Sequence, residues 1–306
     1  MATSKSKIAV IGAGLMGHGI AQVFALGGHE VTIFDSQQAS LATVRQRIAA
    51  NLKDLGDDER AVERVTPVAS LGDAVRNADY VVEAVLEDLP LKQTLFAEIE
   101  QHVRPDTILA SNTSVIPITD IMRGLQRRER ALGTHWWNPP FLVPLVEVIE
   151  TEWTSADAIA FTMRLHADAG KTPAHVKKDV PGFIGNRLQH ALWREAVSLV
   201  ENGICDAETV DAVIKAAFGR RIAVLGPLEN ADMVGTDLTL AIHKTVLPAI
   251  DSRPGPSPYL ERLVADGKLG FKSGEGFRKW TPEQQQDLRA KVLRHLKQAR
   301  EQDAGG

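Results

Sequence analysis

Cysteine is almost absent from this chain of 306 residues, with Cys205 the single example. One thiol can neither close an intramolecular disulfide nor supply a cysteine metal set, which excludes a disulfide-stapled or zinc-ribbon scaffold and suits a reducing compartment. Cys205 itself reads as a buried thiol, the common state of a free cysteine, and no metal site is expected. Long apolar runs are also missing. Nothing reaches the roughly 18 residues that a membrane span requires, and the opening MATSKSK followed by IAVIGAG has only a brief apolar stretch, broken by glycines, without a cleavage pattern. The expectation is a cytoplasmic protein with no membrane partner. Positive charge is not in excess either: 35 Lys and Arg against 39 Asp and Glu leave a net charge of −4, so no basic field exists to gather nucleic acid.

What remains is an ordinary globular composition, 44% apolar and 24% charged, which excludes disordered and fibrous classes. The length suits two domains, each with a core of its own. Short apolar runs at Lys7 to Ile11, Glu30 to Phe34, Tyr80 to Val85, Thr107 to Ala110 and Ala131 to Thr134 alternate with amphipathic stretches at 15–26, 39–55 and 89–102. That is the βαβ rhythm of a parallel sheet covered by helices. Further strands are expected at 145–149 and 174–178. From Phe183 the pattern becomes helical, first to Val200, and the breakers Val180-Pro181-Gly182 mark a boundary. The expected architecture is α/β: a Rossmann-type doubly wound domain over 1–182, then an all-α domain over 183–306. The stretch 282–303 reads as a charged amphipathic helix with a solvated or packing role.

Gly12-Ala13-Gly14-Leu15-Met16-Gly17 matches G-x-G-x-x-G, follows the first strand directly and opens a helix. The first glycine permits a tight turn, the second lets backbone approach a pyrophosphate, and the third lets helix and strand pack closely. The helix N-terminus then faces the phosphates. Asp35 ends the next strand, 21 residues after Gly14, where a carboxylate accepts from ribose hydroxyls and repels a 2′-phosphate. The following Ser36-Gln37-Gln38 supplies no arginine, so NAD is favoured over NADP as the cofactor.

Oxidising an alcohol needs a base, and histidine titrates in the right range. Of nine histidines, His135 ends a strand at the sheet rim and precedes Trp136-Trp137-Asn138-Pro139-Pro140, although position alone fits a structural histidine better. Glu147 lies within the apolar run LVEVI, either as an edge charge or as an inward carboxylate in need of a partner.

Together, GAGLMGHGIAQ at Gly12, VVEAVLEDLPLK ending at Lys92, SNTS at Ser111, GTHWWNPP at Gly133, PGFIGNR at Pro181 and GKLGFKSGEGF at Gly267 resemble the L-3-hydroxyacyl-CoA dehydrogenase family over essentially the whole chain. The resemblance implies that His135 is the general acid/base, with Glu147 as its orienting carboxylate. It further implies that Ser114 and Asn186 hydrogen-bond the substrate oxygens, and that Asn138 shapes the turn beside the base. Glu87 and Lys92 would contact the nicotinamide ribose side of NAD, while Asn112 either approaches the cofactor or caps a turn. A homodimer formed through the helical domain is implied as well.

Three departures bear on the substrate. HWWNPP stands where acyl-CoA members typically read HFFNPVP, which predicts that the Trp pair reshapes the pocket mouth. The 36–80 region is short, and within 36–64 Arg45, Arg47, Lys53, Arg60 and Arg64 are balanced by Asp54, Asp57, Asp58, Glu59 and Glu63, with no surplus for CoA phosphates. Finally, Gly219-Arg220-Arg221 through Pro227 is slightly long and resembles the branch acting on small free acids: L-gulonate 3-dehydrogenase with the lambda-crystallin relatives, carnitine dehydrogenase and a pyridine-carboxylate dehydrogenase. There Arg221 would hold the substrate carboxylate bidentately, the alternative being an ordinary ion pair. The expected substrate is a small free 3-hydroxy acid, with a short-chain 3-hydroxyacyl-CoA as the alternative. A noncatalytic, crystallin-like NAD-binding protein is the reading of another class.

Overall fold

A computed structural model describes residues 5–305. Eight strands, β1 (Lys7–Ile11), β2 (Glu30–Phe34), β3 (Val65–Pro67), β4 (Tyr80–Glu83), β5 (Ile108–Ser111), β6 (Ala131–Trp136), β7 (Leu145–Ile149) and β8 (Thr172–Val176), form one sheet ordered β3-β2-β1-β4-β5-β6-β7-β8. The first six run parallel, β7 is antiparallel to β6, and β8 is parallel to β7. The order reverses between β1 and β4, the crevice where doubly wound sheets bind ligands. β3 escapes sequence reading because three residues are too few for alternation to register.

The same segment carries helices α1 (Leu15–Leu26), α2 (Gln38–Ala42), α3 (Val44–Leu55), α4 (Leu71–Val75), α5 (Leu89–His102), α6 (Ile118–Met122) and α7 (Ala156–Asp168). The single helix expected over 39–55 is thus two, parted at Thr43. Its hydroxyl takes the carbonyls of Ala39 and Ser40, and Arg47 takes Ser40 O as well. α8 (Gly185–Glu201), α9 (Ala207–Ala216), α10 (Pro227–Val234), α11 (Thr236–Val246), α12 (Pro258–Ala265) and α13 (Pro282–Gly305) complete the chain without a further strand among the described residues.

Strand alternation sorts the core into two layers, one on each face of the sheet. Ile8, Val10, Tyr80, Val82, Leu132, Trp136, Val146 and Val148 belong to one layer, and Ala9, Ile11, Val81, Ala131 and Ile149 to the other. Near-continuous burial along these strands is what a sheet covered on both faces demands. Since successive side chains point oppositely, His135 and Trp136 must face different layers.

Two compact units emerge, one running to Arg187 and including the chain from Arg294, the other Leu188–Leu293. The first therefore extends a little past the expected boundary at 182 and takes in the end of α13. Within it, Lys297 and Arg300 of α13 reach Asp54 and Asp57 at 2.7 Å, so the charged tail helix packs by ion pairs. In the second unit Val210 and Leu263 are the only apolar side chains below one-tenth exposure, while Val224, Leu228 and Ile204 exceed two-thirds. Cys205, expected as buried, is only partly so. No described helix is long and apolar enough to cross a membrane.

Candidate active site

The glycine loop meets its steric requirements residue by residue. Gly12 has φ +106°, and a Cβ there would stand 2.5 Å from Ala84 O; at Gly17 one would stand 1.7 Å from Gly12 O. A Cβ on Gly14 would meet nothing within 4 Å, leaving open the space where phosphate oxygens would approach the start of α1. Leu15 is exposed, whereas Met16 packs on the core. Asp35 Oδ2 accepts from Ala13 N at 2.6 Å and Oδ1 from Gln37 N at 2.7 Å, so the carboxylate holds the loop with lone pairs to spare for hydroxyls. From the opposite side Arg47 Nη2 donates to Ala13 O at 2.6 Å. The backbone of Ala13 is held at both its N–H and its carbonyl, and the open cradle fits a dinucleotide.

Beside this loop, the end of β4 holds a buried charge cluster. Glu83 is fully buried and accepts from Lys92 Nζ at 2.6 Å, Ser111 Oγ at 2.6 Å and Val85 N at 2.7 Å. Lys92, equally buried, also lies 3.4 Å from Glu87. Glu87 Oε1 in turn accepts from Thr113 Oγ1 at 2.6 Å, Ser114 N at 2.8 Å and Val115 N at 3.2 Å. Burial works to raise the Glu87 carboxyl, but those hydrogen bonds and the Lys92 ammonium outweigh it and hold it below its ordinary value. Glu87 and Lys92 thus act on the Ser114 loop, with the Lys92 ammonium enclosed between two carboxylates. Asn112 Oδ1 accepts from Trp136 N at 2.9 Å, tying the end of β5 to β6.

β6 and β7 bring His135 and Glu147 directly opposite each other. His135 Nδ1 donates to Glu147 Oε2 at 2.7 Å, and Glu147 Oε1 accepts from Ile184 N at 2.9 Å and Gly185 N at 3.0 Å. Both side chains are at most 5% exposed. Burial tends to raise the Glu147 carboxyl; the bonds from His135, Gly185 and Ile184 prevail and lower it. An ionised carboxylate only accepts, so the imidazole proton sits on Nδ1 and Nε2 is left as a base. The chain turns into this arrangement through Gly182 at φ +75° and Phe183 at φ +50°. A left-handed phenylalanine costs about 1–2 kcal/mol and brings the next two N–H groups onto one carboxylate oxygen. The Trp137 and Phe183 rings flank His135 at 5.3 and 5.6 Å between centroids.

Asn186 Nδ2 donates to Ser114 O at 2.9 Å, so these two residues meet. Asn138, exposed, precedes a cis peptide to Pro139 and makes no side-chain hydrogen bond among the described residues. Arg221 lies in the second unit, exposed, and has no ion pair among the described residues. Trp136 corrects the expectation for the Trp pair. It is buried against Phe24 and His166 on the far face, so Trp137 alone flanks the base. Glu83, Arg47 and Lys171 escaped the sequence reading. For Glu83 a signal existed: an acid within the apolar run VVEAV needs a partner as much as Glu147 does.

The family model for the NAD-binding domain of 3-hydroxyacyl-CoA dehydrogenase matches residues 7–180, and that for its C-terminal domain matches 182–280. A 5-formyl-3-hydroxy-2-methylpyridine 4-carboxylate 5-dehydrogenase of Mesorhizobium japonicum is 38% identical, over 94% of this chain and 95% of its own. Human mitochondrial hydroxyacyl-coenzyme A dehydrogenase is 37% identical, over 89% and 90%. Among solved structures, a dehydrogenase of the same pyridine carboxylate, described as an NAD+-dependent dismutase, superposes with a TM-score of 0.90 at 37% identity, covering 97% of each chain. The (S)-3-hydroxybutyryl-CoA dehydrogenase of Ralstonia eutropha gives 0.76 at 32% identity, covering 91% of this chain and all of that one. With both domains matched along nearly its whole length, the chain belongs to the 3-hydroxyacyl-CoA dehydrogenase family and is an NAD-dependent dehydrogenase.

Proposed function

We propose that the protein oxidises a secondary alcohol β to a carboxyl group, with small free hydroxy acids as its substrates. The observation that carries the reading is the His135–Glu147 pair, a base with one nitrogen held and the other available. The nicotinamide, when bound, accepts the hydride from the carbinol carbon. Gly12, Gly14, Leu15, Met16, Gly17 and Asp35 hold the dinucleotide, with Glu87, Lys92 and Asn112 shaping the wall next to it. His135 Nε2 takes the hydroxyl proton as the C–H bond breaks, and Glu147 stabilises the imidazolium that results. Ser114 and Asn186, joined to each other, position the substrate oxygens, and Asn138 bounds the turn beside the base.

Two observations favour a free acid. The superposition is better on the pyridine-carboxylate enzyme than on the acyl-CoA enzyme of Ralstonia eutropha. Arg221, without an ion pair among the described residues, is a guanidinium suited to a carboxylate. The 37% identity to the human acyl-CoA enzyme favours a second reading, oxidation of a short-chain L-3-hydroxyacyl-CoA. NADH absorbance with NAD and, in turn, L-gulonate, L-carnitine, 3-hydroxybutyrate and L-3-hydroxybutyryl-CoA separates them. Turnover of a free acid, lost in Arg221→Met, is expected; turnover of the thioester alone overturns the free-acid reading. A homodimer through the second unit is the assembly its exposed apolar side chains support, and the single cysteine supports a cytoplasmic setting.

A further inference from the structure

We propose that Lys171 is a positioning residue for the His135–Glu147 pair, holding the turn that sets the register of β6 on β7. The inference rests on the reading of that pair as the reacting base and its carboxylate. His135 faces Glu147 only because Trp136 pairs with Val146 and Thr134 with Val148. A slip of one residue would send Glu147 to the far face of the sheet, where Trp136 is buried. Register in an antiparallel pair is normally imposed by a short turn of 2–5 residues or so. Here the connection runs from Trp137 to Pro144, too long for turn chemistry alone to impose it.

Inside the connection, Pro139 O accepts from Leu142 N and Val143 N, both at 3.0 Å. The carbonyls of Pro140 and Val143 accept no backbone N–H outside regular elements among the described residues. Lys171 Nζ donates to both, to Pro140 O at 2.7 Å and by a short bond to Val143 O. The adjacent Thr172 N donates to Pro144 O at 2.9 Å, so the start of β8 grips the connection at three carbonyls. The ammonium also lies 5.4 Å from the Trp136 ring centroid, next door to His135. No carboxylate pairs with it among the described residues, and burial, with Arg300 as a nearby cation, pushes it down to about 8. A methionine would fill the same space without the cost of desolvating a charge. A cation without a counterion is useful here because its three donors can serve several carbonyls at once.

Lys171→Met and Lys171→Arg test the proposal, with His135→Gln as the control. In 15N-histidine-labelled protein the His135 Nδ1 proton, assigned by its loss in His135→Gln, reports the pair without any substrate. Lys171→Met is expected to speed its exchange with water at least tenfold, leave the NAD Kd from tryptophan fluorescence within twofold, and lower kcat by about 10- to 100-fold, the penalty of a displaced reacting group. Lys171→Arg should restore most of both. An unchanged proton signal in Lys171→Met, or loss of NAD binding in step with turnover, overturns the positioning role. If Lys171→Met does not fold, Lys171→Gln, which keeps a neutral donor, takes the same measurements against the same outcomes. Undiminished turnover in His135→Gln would instead sink the underlying reading of the pair and leave the register argument standing on the proton signal alone.

Discussion

Glu83 and Glu147 are two acids set into apolar strands of one sheet, each nearly or fully buried and each satisfied by three hydrogen bonds. Their partners make them different. Glu83 is answered by Lys92, an ammonium set between two carboxylates, and the result is a fixed knot joining β4, α5 and the Ser114 loop. Glu147 is answered by His135, which gives one nitrogen to the carboxylate and keeps the second out of that bond. Burying a carboxylate imposes the same desolvation in both places; the difference is that an imidazole partner has a second ring nitrogen, which can accept.

The contrast can be broken by exchanging the symptoms. His135→Gln should lower kcat by about 10²- to 10⁴-fold, the worth of a positioned base, while NAD affinity and the denaturation midpoint stay near those of the parent. Steady-state kinetics and NADH binding measure it, and near-normal turnover would erase the distinction. Lys92→Met should do the reverse first, leaving Glu83 uncompensated and lowering stability by about 3–5 kcal/mol in urea titrations. Turnover lost at unchanged stability would make Lys92 the reacting group and reverse the comparison.

His166 sharpens the point with a third buried ionisable group, one kept neutral. Burial lowers its pKa to about 4 from an ordinary 6.5. The unfolded chain therefore binds more protons between those values, and stability falls as pH drops from 6.5 toward 4. Its contribution is about 3 kcal/mol. His166→Phe should flatten the urea-midpoint profile over that window, and an unchanged acid slope would assign the loss elsewhere. Glu147, lowered in the fold, should add an acid loss of its own at lower pH, since its stabilisation exists above the ordinary carboxylate range and disappears below it. The smallest effect expected is that of Gly185→Ala. A Cβ there would sit 2.5 Å from the Trp137 ring, an overpacking worth about 1–3 kcal/mol that also displaces the wall beside His135. Thermal melts and Trp emission follow it; an unaltered melt would mean the ring yields freely.

Much of the scaffold was legible from local pattern. β1, β2, β7, α1 and α5 fall where periodicity placed them, and the glycine loop with Asp35 follows from spacing because each residue meets a local steric or hydrogen-bonding demand. Strand alternation alone also places Trp136 and His135 on opposite faces of β6. Short or interrupted elements were not legible: β3 has three residues, and the break at Thr43 depends on carbonyls claimed by side chains.

By itself the sequence determined the doubly wound scaffold and the dinucleotide cradle, whose signals lie in short stretches of chain, whereas His135 stood out as the base only through the family resemblance of its motifs. Only tertiary structure decided which buried charge answers which: Glu83 with Lys92 and Ser111, Arg300 with Asp57 across 243 residues, Lys171 with the carbonyls of the β6–β7 connection. A charge can be buried only beside a partner, but any residue the fold brings near can be that partner, and separation along the chain carries no trace of the choice.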